Sequence, residues 1–307
     1  MKILLTGASG QLGQELGARL SRLGELVRVD LNIADGDRRT VKQDLSDLEG
    51  VERLLSSVRP DLVVNAAAYT AVDAAEDNRE LAFLLNGDLP GCLAAWAARS
   101  GAVLFHYSTD YVFSGESNRP WREQDRPAPL NSYGESKLAG EEAIAASACR
   151  HATIRTSWVY SGGHGNNFVL TMLRLARARP ELKIVGDQVG CPTWARNLAR
   201  VSDVMIGRLL DGSAGVAPWG LYHYCDGGVV SWFEFAHAIF RTAVKVGLLD
   251  KLPVMEAVRS AEYPQKAKRP AYSVLDTSAI QLAFGIEKAG LEESLLACLE
   301  EVTDDKN

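Results

Sequence analysis

The chain has 307 residues, enough for one large domain or two modest ones, and its 47% hydrophobic and 23% charged residues are the balance of a soluble globular protein. A net charge of -6 excludes a general nucleic-acid binder, which needs a basic face, and no apolar run approaches the ~18 residues of a membrane-spanning helix. Five scattered cysteines (Cys92, Cys149, Cys191, Cys225 and Cys298) form no metal-ligand cluster and fit a reduced, cytoplasmic protein.

The opening MKILLTG carries one charge and a short apolar run before its glycine, so it reads as a first strand rather than a signal peptide. Apolar runs at 2–6, 26–30, 61–67, 102–108 and 152–157 read as buried parallel strands. Helical patterns begin at Gln11 and Asp47, run from about Asp77 to Ser100, and follow Ser132. Strands alternating with helices imply βαβ units. The fold expected is therefore α/β, a Rossmann-like doubly wound parallel sheet with a smaller C-terminal α/β portion. Residues 1–157, with 188–219, are expected to form the dinucleotide-binding domain. Residues 158–187 and 220–307 are expected mainly to shape the substrate pocket, and the tail TDDKN reads as frayed.

After the first strand, Thr6-Gly7-Ala8-Ser9-Gly10-Gln11-Leu12-Gly13 has the glycine spacing of a dinucleotide fingerprint, with a strand before it and an amphipathic helix after. Gly7 permits the tight turn, Gly10 lets the backbone approach a pyrophosphate, and Gly13 lets helix and strand pack closely. The helix N-terminus then offers unpaired N–H groups to the phosphates. Asp30 ends the second strand, where a carboxylate accepts hydrogen bonds from the adenosine ribose hydroxyls and repels a 2′-phosphate. That favours NADH, but Arg38 and Arg39 in the next loop can offset the repulsion, so NADPH and NADH both stay open. Asp44 and Leu45 end the following strand, where an adenine edge rests; Asp44 reads equally well as a helix cap.

His106-Tyr-Ser-Thr-Asp-Tyr-Val-Phe113 brings Ser108 and Thr109 to the carboxyl end of the fifth strand, the edge at which open parallel sheets bind ligands. Tyr133 and Lys137 project from one side of the next helix at i and i+4. Reduction of a ketone leaves an alkoxide that needs a proton and a hydrogen bond. A protonated tyrosine gives that proton, a lysine cation lowers the tyrosine's pKa and holds the nicotinamide ribose, and Thr109 hydrogen-bonds the carbonyl oxygen. The spacing alone is weak. Its conjunction with the glycine loop and the strand-end Ser-Thr points to catalysis.

These residues resemble the extended short-chain dehydrogenase/reductase superfamily and, within it, the dTDP-4-dehydrorhamnose reductase family. The matching segments include TGASGQLG (6–13), VVNAAAYTAVDAAE (63–76), HYSTDYVF (106–113), LNSYGESKLAGE (130–141), DQVGCPT (187–193) and RPAYSVLD (269–276). The resemblance implies NAD(P)H-dependent reduction of the 4-keto group of a dTDP-deoxysugar, with Thr109, Tyr133 and Lys137 as the catalytic trio. It implies a cofactor site of Gly7, Gly10, Gln11, Leu12, Gly13, Asp30, Asp44, Leu45, Ala66, Ala67 and Tyr69, together with Tyr133 and Lys137.

For the sugar nucleotide it implies Thr70, Val72, Asp73 and Thr109, then Trp158, Asn167 and Arg269. Trp158 can pack on the deoxysugar or belong to the core, Asn167 can be a helix cap, and Arg269 can pair bidentately with a diphosphate or lie on the surface. Asn86, a poor helix former within a helix, is expected to support the site through a backbone or water contact. Some members bind magnesium at a dimer interface. Here Glu15 is in place, but Arg196 and Asn197 follow Pro192-Thr193 where a carboxylate is wanted, so no metal site is expected. A homodimer stays open without that support. A sugar-nucleotide epimerase or dehydratase is a competing reading, weakened because Asp110-Tyr111 replaces the acidic pair of dehydratases after Thr109. A non-catalytic nucleotide-binding regulatory subunit is a third.

Overall fold

Alternation along each strand decides which helix its side chains meet, and the sheet follows from it. The computed structural model describes residues 1–33, 37, 39–214 and 219–302; Arg38 and the tail TDDKN lie outside them. The strands of the main sheet are β1 (Lys2–Thr6), β2 (Glu25–Asp30), β3 (Thr40–Lys42), β4 (Leu62–Asn65), β5 (Val103–Thr109) and β6 (Arg150–Thr156). Short strands follow: β7 (Val159–Tyr160), β8 (Glu181–Val185), β9 (Val189–Gly190), β10 (Thr193–Trp194), β11 (Gly220–His223), β12 (Val230–Ser231) and β13 (Val254–Val258). The main sheet is parallel throughout, in the order β11-β6-β5-β4-β1-β2-β3. The order reverses between β1 and β4, the crevice at which doubly wound sheets take ligands. β11, expected in the smaller portion, pairs with β6 at the edge of this sheet.

Ile3, Leu5, Leu62, Val64, Phe105 and Ile154 turn to one face, against Leu16 and Leu20 of α1 (Gln11–Leu20). Leu4, Val29, Val63 and Leu104 turn to the other, against Val51 and Leu55 of α2 (Leu48–Val58). Each fully buried side chain of this size is worth about 1.5–3 kcal/mol, and a one-residue slip would exchange the two sets between the faces and undo both packings at once.

Short α3 (Val72–Ala75) and α4 (Arg79–Phe83) lead through a π-helical turn, Leu84–Asp88, into α5 (Leu89–Ser100). The continuous stretch Arg79–Ser100 is 22 residues long and holds an 18-residue window with a mean hydropathy of 1.3, so it is longer and more apolar than the sequence reading allowed. Its α5 part places Leu89, Leu93 and Trp96 in the second core, alongside Ile144 of α6 (Ser132–Ala146), and half of that window is buried. This is the pattern of a core helix. The remaining helices are α7 (Phe168–Ala178), α8 (Ala195–Asp211), α9 (Trp232–Lys245), α10 (Ser278–Phe284) and α11 (Leu291–Glu300). α8 and α10 cover the α1 face of the sheet, while α7, α9 and α11 enclose a separate core around Tyr160, Phe235 and Phe240.

Candidate active site

The glycine loop is built for a close approach. Gly7 lies at φ 67°, and a Cβ on it would come within 2.6 Å of the Ala67 nitrogen; a Cβ on Gly13 would run into the Gly7 carbonyl. Only glycine fits either position. Gly10 is the N-cap of α1 and contributes no capping side chain, so the first-turn amides are available to an anion. Asp30 closes the loop from β2: its carboxylate accepts from the Ser9 N–H at 2.9 Å and the Asn32 N–H at 3.1 Å. These residues fit a pyrophosphate and its ribose.

The other expected cofactor residues divide. Gln11 Nε2 donates to the Val159 carbonyl at 3.1 Å, and its Oε1 accepts from Asn167 Nδ2 at 3.4 Å, tying the loop to the smaller portion. Leu12 and Ala66 pack against one core, Ala67 packs against the other, and Leu45 is buried within it. Asp44 accepts from the Ser46 N–H and hydroxyl at 2.9 and 2.6 Å; the cap of α2 is Asp47, so Asp44 is not a helix cap. Tyr69 is held at both backbone ends by Asn86, whose Oδ1 accepts from the Tyr69 N–H at 2.8 Å and whose Nδ2 donates to the Tyr69 carbonyl at 3.0 Å. Asn86 Nδ2 also donates to Ser136 Oγ at 3.0 Å, fastening this loop to α6. Asn86 lies within the π-helical turn Leu84–Asp88.

Thr109 is the last residue of β5 and pairs in register with Thr156 at the end of β6. α6 starts where it must: Asn131 Oδ1 accepts from the Gly134 N–H at 2.8 Å, capping the helix, while its Nδ2 donates to the Lys268 carbonyl at 2.7 Å. Tyr133 and Lys137 thus face the carboxyl end of β5. The Tyr133 ring meets Tyr111 edge-on at 5.7 Å, and its phenol shares a hydrogen bond with Thr109. Lys137 is buried. Its Nζ donates to the Tyr107 carbonyl at 2.6 Å and stands 3.4 Å from His106 Nε2.

Burial pushes the Tyr133 phenol up to about 12, with the Thr109 hydrogen bond opposing it. The sequence reading has Lys137 lowering this value. The structure differs, because the ammonium spends its hydrogen bonds on Tyr107 and lies beside His106. Burial also brings Lys137 down to about 8, against the pull of Glu141 one turn along. His106 is held well below its ordinary value by burial and by Lys137, so it is neutral.

Among the expected sugar-nucleotide residues, Asp73 and Arg269 meet directly. The guanidinium donates to both carboxylate oxygens, at 3.1 and 2.8 Å, and this holds the Asp73 carboxyl below its usual range. Arg269 is therefore not a free surface arginine. A cavity of about 290 Å³ is lined by this pair together with Phe168, Gln188, Trp232 and Tyr263. A second, of about 450 Å³, lies against Gln188, Lys266, Lys268 and Arg269.

Trp158 has φ 46°, a costly conformation for a bulky residue, and stacks on Trp232 with ring centroids 3.5 Å apart. Trp158 stands half-buried at the rim of the smaller core, not inside it. Asn167 caps α7 through the Leu170 N–H. Thr70 is exposed and Val72 half-buried, next to Asp73. Glu15 pairs with Arg196, which also pairs with Glu301, so the place where the sequence reading weighed a metal holds an ion-pair cluster.

Three residues were missed by the sequence reading. His106 shares a face of β5 with Leu104, which alternation alone would show; that Lys137 reaches it would not be shown. Trp232 begins α9 behind the capping box of Ser231 and Glu234, with nothing to link it to Trp158. Asp110 is buried beside Thr109, and burial raises its carboxyl to about 7.

Comparison with known proteins gives one consistent set. The family model described as RmlD substrate binding domain matches residues 1–304. Over 286 residues the chain is 44% identical to a dTDP-4-dehydrorhamnose reductase of Escherichia coli K12, covering 93% of each chain. A crystal structure of a dTDP-4-dehydrorhamnose reductase from Clostridium acetobutylicum superposes with a TM-score of 0.85 at 37% identity, covering 98% of this chain and 99% of that one. One from Bacillus anthracis, in complex with NADP, superposes with a TM-score of 0.84 at 34% identity and the same coverage.

Proposed function

The chain belongs to the family of the RmlD substrate binding domain, and from that membership we propose that it is an NAD(P)H-dependent oxidoreductase. It reduces the 4-keto group of dTDP-4-dehydro-6-deoxy-L-mannose to give dTDP-L-rhamnose. The observation that carries this reading is the convergence of Thr109, Tyr133 and Lys137 beside a glycine loop, in a chain 44% identical to a named reductase over 93% of both lengths.

Gly7, Gly10 and Gly13 present the first turn of α1 to the pyrophosphate of NADPH or NADH, and Asp30 receives the ribose hydroxyls. The reduced nicotinamide supplies a hydride to C4 of the sugar. Thr109 donates a hydrogen bond to the ketone oxygen, and Tyr133 gives its phenolic proton to that oxygen as negative charge develops. With its phenol raised to about 12, Tyr133 is fully protonated at neutral pH. Lys137, cationic below about 8, holds the nicotinamide ribose. Lys266, Lys268 and Arg269 supply positive charge for the diphosphate, and the indole of Trp158 packs against the deoxysugar.

The test is turnover by the full chain. NADPH or NADH should be oxidised only when the dTDP-4-keto sugar is present, with dTDP-L-rhamnose as product. A folded protein that binds the dinucleotide yet shows no such oxidation contradicts the reading and favours the regulatory subunit.

A further inference from the structure

Asp110 is a buried carboxylic acid that the reaction just described does not use. Its side chain is 2% exposed, Oδ1 lies 3.1 Å from the Thr109 hydroxyl, and Oδ2 has no hydrogen-bond partner. The groups facing it come from every surrounding element: the Ser273 hydroxyl, the Tyr133 phenol on α6, the Tyr111 phenol with Arg269 behind it, and the Cys191 thiol after β9. None of these is a cation in direct contact with the carboxyl; the Ser273 hydroxyl and the Asp110 and Tyr111 N–H groups favour the ionised form, but burial outweighs them.

The consequence appears on counting hydrogens at Thr109. Its oxygen has two lone pairs and one hydrogen. One lone pair already accepts the Tyr111 N–H at 3.2 Å, and the bond Thr109 shares with the Tyr133 phenol gives way when both groups turn to the ketone oxygen. If Asp110 is ionised, it takes the Thr109 hydrogen, and only a lone pair is left toward the substrate, where it repels the ketone oxygen. If Asp110 is protonated, it donates to the second lone pair, and the Thr109 hydrogen is free for the ketone.

Resting on the reductase reading above, we propose that Asp110 is a positioning residue that must be a neutral acid for Thr109 to donate to the ketone oxygen. Its proton stays on Asp110 throughout, and Tyr133 remains the donor to the substrate. Because burial raises this carboxyl to about 7, the active form is present at neutral pH and is lost as pH rises. A second loss follows at about 8, where Lys137 gives up its charge.

The experiment is kcat/KM for the dTDP-4-keto sugar across pH 6 to 9.5, with saturating NADPH, in the full-length protein and its variants. The parent should fall about tenfold per pH unit above about 7. Asp110→Asn presents an amide N–H to Thr109 at every pH, so its decline should begin only near 8. Thr109→Ala, slower overall, should also lose the lower limb, because Asp110 acts only through that hydroxyl; Thr109→Ser should retain it. A uniform loss in Asp110→Asn at all pH values, or a lower limb that persists in Asp110→Asn or in Thr109→Ala, overturns the role of Asp110 and leaves the reductase reading standing. A parent that never turns over the sugar overturns both.

Discussion

Tyr133 sits where its chemistry demands, at the start of α6 and against the end of β5, and its phenol is buried enough to stay protonated well past neutral pH. Tyr133→Phe removes the proposed proton donor and little volume, so kcat should fall about 10²–10⁴-fold, the usual worth of a positioned acid. Single-turnover reduction measures this directly, and an unchanged rate would remove Tyr133 from the role. Asp110 carries a stability prediction of its own. Its folded value lies above the ordinary 3.8, so its favourable contribution is complete at acid pH and is lost as pH rises through about 7. Asp110→Asn should therefore be more stable than the parent at pH 8, by on the order of a few kcal/mol, and should lose that advantage toward pH 4. Chemical denaturation at the two pH values decides it. That Thr109, Tyr133 and Lys137 meet at the carboxyl end of β5 was legible in the sequence, from a strand-end Ser-Thr and the i, i+4 spacing on the next helix. Asp110 was not, because its burial is made by Ser273 and Cys191, from segments far along the chain.

At the scale of elements, the π turn Leu84–Asp88 joins the loop after β4 to α6 through one side chain. Asn86 makes two hydrogen bonds to the backbone of Tyr69 and one to Ser136. Asn86→Ala leaves those buried groups unpaired and should cost about 1–3 kcal/mol in thermal or chemical unfolding, with a fall in kcat as α6 and its Tyr133 loosen. Asn86→Asp keeps the acceptor toward the Tyr69 N–H but sets a buried carboxylate oxygen against the Tyr69 carbonyl, so it should cost at least as much at neutral pH. The five strands β1, β2, β4, β5 and β6 were readable as apolar runs, since both of their faces are buried. The third strand was expected to end at Asp44 and Leu45, whereas β3 ends at Lys42; the paired two-residue strands β7, β9, β10 and β12 were not read, because so short a run has no period. The edge strand β11 was placed in the smaller portion because periodicity gives no pairing partner.

Across the whole molecule, the two portions are joined by contacts that no local pattern announces. Gln11 reaches Val159 and Asn167, and Asp73 holds Arg269. Gln11, Asn167, Asp73 and Arg269 each drew attention in the sequence; their pairing did not, because it depends on packing between segments more than a hundred residues apart. The cofactor site spans the same scale. Asp30→Asn keeps the contact to the Ser9 N–H but removes the charge that opposes a 2′-phosphate. The ratio of kcat/KM for NADPH to that for NADH should rise by roughly tenfold, ~1.4 kcal/mol of removed repulsion. An unchanged ratio would place cofactor choice elsewhere.

The central claim is that this chain carries a hydride from the nicotinamide to C4 of a dTDP-4-keto sugar while Tyr133 supplies the proton. Reduced cofactor deuterated at nicotinamide C4 tests it most directly, with the sugar product read by mass spectrometry and NMR. The account predicts dTDP-L-rhamnose with one deuterium at C4 from the parent, formed far more slowly by Tyr133→Phe. Product without the label, label at another carbon, or equal rates in the two proteins would contradict it.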